Sequence, residues 1–106
     1  MDIGKLKKES DLSYNIAIAK RNALEKANSR LVIVYNEHIF SADSQTINLV
    51  KTLSEIGTSP IYILDSNNNP VEISDSKEFL QLLIARNQEA ISSYYQMSKT
   101  FASRND

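Results

Sequence analysis

Apolar residues fall into five blocks, each with its own period. Leu12, Ile16, Ala19, Ala23 and Ala27, followed by Leu31, recur three or four apart, with Lys20, Arg21, Glu25 and Lys26 between them. That spacing predicts a helix over 11–29, with Ser10 or Asp11 as its cap and residues 1–10 as a flexible leading segment. Its apolar stripe is mostly alanine, which favours the helix but buries little area per turn, so this helix leans on a sheet or on another subunit. Leu31–Tyr35 is β-branched and aromatic, and His38–Phe40 follows a two-residue polar break. Together they predict a tight hairpin with Asn36 at positive φ.

The third block is a helix of Ile47, Val50, Leu53 and Ile56, started by Asp43 and ended by Gly57, with Pro60 beyond. A second hairpin pairs Ile61–Leu64 with Pro70–Ile73 across the loop Asp65–Asn69. The last helix opens at Ser74 and Asp75, with Glu78 at capping-box distance, and runs to about Phe101. Phe79, Leu82, Leu83, Ala90, Tyr94, Met97 and Phe101 form its broad apolar face. Leu80, Ile84, Ile91 and Tyr95 widen that face beyond what one small sheet can cover. Leu80, Ile84, Ile91, Tyr94, Tyr95 and Phe101 are therefore the expected partner-binding residues. The order helix, hairpin, helix, hairpin, long helix predicts one α+β domain over 1–106 with a small antiparallel sheet.

Composition narrows the chemistry. A chain of 106 residues with 42% hydrophobic and 24% charged residues has room for one ordinary globular core. The net charge of −1 gives no basic surplus for nucleic acid, and Lys5, Lys7 and Lys8 are diluted by Glu9 and Asp11. With no cysteine and one histidine, disulfides, zinc–thiolate sites and imidazole-rich metal sites are excluded within one chain. The longest apolar run, Leu31–Tyr35, is far too short for a membrane span, and the N-terminus lacks the apolar core of a signal peptide. Two glycines cannot build a phosphate-binding loop.

Each remaining candidate has a simpler role. His38 reads as a half-exposed strand residue, and Asp65–Asn69 reads as a hairpin loop. That loop lacks the central glycine and the acidic twelfth ligand of a calcium loop. Asp43 and Ser44 read as caps, and Tyr14, Tyr62, Tyr94 and Tyr95 as packing residues without interleaved basic groups. No constellation for catalysis and no cofactor is expected.

Arg21 and Leu24 on the first helix lead to a strand and then to Tyr35-Asn36-Glu37-His38-Ile39-Phe40. Asp43-Ser44-Gln45, Ile47, a helix, a strand, Asp65–Asn69, Val71 and a long last helix follow. From about residue 20 onward this order resembles a small domain of unknown function that recurs in bacteriophage and prophage tail and tail-fibre-associated proteins. That family has a tyrosine–asparagine–glycine hairpin; Glu37 stands here where it has glycine. The resemblance implies a non-enzymatic structural or adaptor role in a phage tail. The expected partner is a fibre or baseplate component or another copy, with neither nucleic acid nor membrane. The chain would be found in the host cytoplasm during assembly and in the virion tail if structural. The rival expectations are a fibre-assembly chaperone absent from the virion and a small inhibitor of a host protein.

Overall fold

The helical and hairpin patterns fold in the expected order, and the architecture is α+β. The computed structural model describes residues 3–104, with side chains from 14 to 101. Its elements are α1 (Ile3–Ser29), β1 (Val32–Tyr35), β2 (His38–Ser41), α2 (Ser44–Ile56), β3 (Ile61–Leu64), β4 (Pro70–Ile73) and α3 (Ser76–Arg104). The first helix starts earlier than expected. Residues 3–10 belong to it, so Ser10 and Asp11 lie inside the helix and do not cap it. Lys5 to Glu9 are strong helix formers, and nothing after Gly4 breaks the run. Met1, Asp2 and the side chain of Leu12 lie outside the described residues.

Two separate two-stranded antiparallel sheets form, β1–β2 and β3–β4. Tyr35 pairs with His38 and Val32 with Ser41. The turn between them puts both Asn36 (φ 50°) and Glu37 (φ 68°) in the left-handed region. This is the type I′ geometry, whose twist matches that of the strands it joins. In the second sheet Ile61 pairs with Ile73 and Leu64 with Pro70. The helix between the hairpins is capped as expected. The Asp43 carboxylate accepts from the Thr46 amide at 2.9 Å, and Gly57 closes the helix at φ 79°.

The core lies where the hairpins meet the first half of α3. Phe40, Val50, Ile73, Phe79 and Leu83 are fully buried there, each contributing about 1.5–3 kcal/mol. Phe79 packs edge-on to Phe40 at 4.9 Å and tilted against Tyr35 at 5.1 Å between ring centroids. Burial, then Glu78 and Asp75 nearby, push the Tyr35 hydroxyl above its ordinary range. Polar side chains of α3 set the register. Arg86 Nε donates to the Arg30 carbonyl at 2.9 Å, with that of Val32 at 3.2 Å, and Asn87 donates to the Ala42 carbonyl at 3.0 Å.

Beyond this head, α1 and α3 run antiparallel as a two-helix arm, and the molecule measures 69 × 24 × 19 Å. Arg30 donates to Ser93 at the base of the arm, and Ala23 and Ala27 sit in a seam with Ala90, Tyr94 and Met97. Alanine on both sides lets the two backbones come close. Ala23 and Ala27 are the only buried residues of α1 among those whose side chains are described.

Candidate functional site

The six residues expected to bind a partner divide into two groups. Ile84, Ile91 and Tyr95 are 42%, 45% and 56% exposed. Together with exposed Gln88 they recur four, three and four apart, so they line one side of α3. Leu80, Tyr94 and Phe101 do not belong to that surface. Leu80 packs against the head core, Tyr94 is half-buried in the seam with α1, and Phe101 is only 7% exposed. The head core covers Leu80, while α1 folds back along the second half of α3 and takes up part of the apolar surplus around Tyr94.

Helical geometry extends the stripe. Successive residues advance about 100° around a helix, and in an antiparallel pair the positions that follow the contact residues fall on the same side. Leu24 follows buried Ala23, and Ile91 follows buried Ala90; both are exposed. Leu24 of α1 thus lies on the same side of the arm as the α3 stripe, and Lys99 stacks on the Tyr95 ring at 4.8 Å.

A second apolar surface covers the outside of the head. Val34 and Ile39 are cross-strand partners on the outer face of the first sheet, and both are exposed. Tyr62 and Leu64 point outward from β3 while Ile61 and Ile63 point into the core. With Leu49, Gln45 and Thr46 of α2 they line an open groove of about 380 Å³. A half-buried strand normally alternates apolar with polar residues. Ile61–Leu64 and Val32–Tyr35 are apolar throughout, and that was the available signal for this surface.

Between the hairpins sits the most ordered polar group of the head. Asp65 is buried at the end of β3. One carboxylate oxygen accepts from the amides of Asn67 (2.8 Å) and Asn69 (2.9 Å), and the other takes His38 Nδ1 at 2.8 Å. The Asn69 backbone amide, and then His38, hold the Asp65 carboxyl below its ordinary range, against the opposing effect of burial. Beside it the Ser66 amide donates to the Ile39 carbonyl at 2.8 Å. His38 is half-exposed, as expected, but it also closes a clasp that ties the loop of the second hairpin to β2.

An Asp–His pair is also part of a hydrolytic triad, in which histidine links a carboxylate to a nucleophile. Here no hydroxyl joins the imidazole among the described hydrogen bonds, and the carboxylate is taken up by the turn. The loop geometry therefore accounts for the pair. The start of α3 is likewise taken by its own cap, Asp75, which accepts from the Glu78 amide at 3.0 Å. Among the described residues no group of three acidic, cysteine or histidine side chains could hold a metal ion, and no helix is long and apolar enough to cross a membrane. No family model, no curated protein and no solved structure matches this chain.

Proposed function

We propose that the chain is a non-enzymatic structural or adaptor protein of a phage tail that joins a fibre or baseplate component through its apolar surfaces. One observation carries the reading: a single 69 Å molecule bears two separate exposed apolar faces, one on the head and one along the arm. An adaptor needs two such faces, whereas a compact binding domain needs one. The tail setting comes from the residue order between Tyr35 and Asn69. Glu37 takes the positive φ that glycine would supply, so its departure from the family pattern leaves the turn intact.

The head face, with Leu49, Tyr62 and Leu64, is assigned to the tail component, and the arm stripe to assembly. The test is co-purification with candidate fibre and baseplate proteins, together with mass spectrometry of intact particles. A stable complex and copies in the particle are expected, and Tyr62→Asp should abolish the complex. Binding without copies in the particle would make the chain an assembly chaperone instead. Recovery of a host protein alone would make it an inhibitor. No partner in either experiment would refute the tail reading.

A further inference from the structure

The arm stripe has the three-and-four spacing by which one helix seats its side chains between those of another. The charge distribution indicates which helix. Residues 30–85 carry three basic and seven acidic side chains, a net −4. Residues 3–29 and 86–104, the helical segments of the arm, carry nine basic and four acidic ones, a net +5. A chain with an acidic head at one end and a basic arm at the other is complementary to a second copy lying the opposite way round. It repels a copy lying in the same sense.

We infer that two copies associate as an antiparallel dimer along the Ile84–Gln88–Ile91–Tyr95 stripe of α3, with each basic arm beside the acidic head of the other copy. This rests on the reading of the arm stripe as an assembly surface and names its occupant. A two-fold axis beside Gln88 sets Ile84 of one copy against Ile91 of the other. Since α3 runs from Ser76 to Arg104, that axis lies close to its middle, and the two helices overlap along almost their whole length. The Arg86–Glu89 ion pair and exposed Leu82 lie away from the stripe and stay clear of the contact. Self-complementarity about a two-fold axis is the commonest way for identical chains to assemble. Charge contributes orientation more than affinity, because the Debye length is only about 8 Å at physiological salt.

The chain contains no cysteine, so engineered cysteines report the geometry directly. In the antiparallel dimer, Gln88→Cys residues face one another across the axis and form an intermolecular disulfide. Tyr95→Cys residues lie about 22 Å apart along the helices and form none. Light scattering should give twice the 12.0 kDa chain mass at about 100 μM. Ile91→Asp should be monomeric, Leu49→Asp should remain dimeric, and raising salt from about 0.05 to 0.5 M should weaken the dimer several-fold. A wild-type monomer, a dimer that survives Ile91→Asp, or cross-linking through Tyr95→Cys in preference to Gln88→Cys would each overturn the inference. A monomer that binds a tail protein and loses it in Ile91→Asp would overturn the dimer but keep the stripe as an interface. A dimer of the stated geometry that ignores every tail protein would support the inference and refute the tail reading.

Discussion

Replacing Glu37 with glycine should stabilise the protein. Glu37 is the second residue of the β1–β2 turn, exposed, at φ 68°, directly after Asn36 at φ 50°. A side chain in the left-handed region brings Cβ against the following carbonyl at a cost of about 1–2 kcal/mol, which asparagine softens and glutamate does not. Glycine removes that cost but gives the unfolded chain more freedom, an opposing effect of about 0.4–1 kcal/mol. The expected net gain is about 0.5–1 kcal/mol. In a domain of this size that raises Tm by about 2–8 °C.

Glu37→Gly also removes one negative charge from a head with net −4, and that alone could favour the folded state. Glu37→Gln separates the two causes, since it loses the charge and keeps the Cβ. Urea unfolding followed by circular dichroism, at a fixed low chain concentration, gives the midpoint and slope for all three proteins. Glycine should raise the midpoint with an unchanged slope, and glutamine should leave it within about 0.5 kcal/mol of wild type. If glycine lowers the midpoint, or glutamine matches glycine, backbone strain at this turn is not what limits the hairpin.

Three further outcomes are expected. Gly57→Ala should cost about 1–2 kcal/mol in urea unfolding, because an added Cβ meets open space and only the φ of 79° opposes it; a neutral result would mean that the end of α2 relaxes. Phe79→Ala should cost about 3–5 kcal/mol, since Phe79 is fully buried between Tyr35 and Phe40, and a loss below about 1 kcal/mol would contradict that packing. Asp65 is held below its ordinary value of 3.8, so its stabilisation is complete above that pH and is lost as pH falls through the folded value. Wild type should therefore lose stability more steeply than Asp65→Asn below about pH 4 in acid titrations of Tm, and parallel curves would refute the clasp as a source of acid sensitivity.

The order of elements was legible because each segment carries its own period and its own punctuation. Asp43, Gly57 and Asp75 all act where cap chemistry places them. The start of α1 was not legible, because Ser10 and Asp11 fit a cap equally well when they lie inside a helix. The separation of the two hairpins was not legible either, since nothing local states which strand edges meet. His38 and Asp65 are 27 residues apart, and their contact depends on how the second hairpin docks against β2. Of the expected partner-binding residues, Ile84, Ile91 and Tyr95 are exposed on one side of α3. Leu80, Tyr94 and Phe101 were drawn to the same face by periodicity, which cannot distinguish a surface covered by the chain's own α1 from one left open.

The alanine stripe that made α1 readable as a helix also explains why the arm is incomplete alone. Ala23, Ala27 and Ala90 let the two helices approach closely, but each offers little apolar area to bury. The aromatic core of the head does not extend into the arm, so α1 is held by its seam with α3. Long helices in water draw most of their stability from a packed face, not from propensity. Leu24, Ile91 and Tyr95 lie on the side that neither helix covers, whereas Tyr94 and Met97 line the seam. If burial decides where a helix belongs, that side is where the arm gains further packing, and a second copy lying the opposite way round sets its acidic head beside this basic arm.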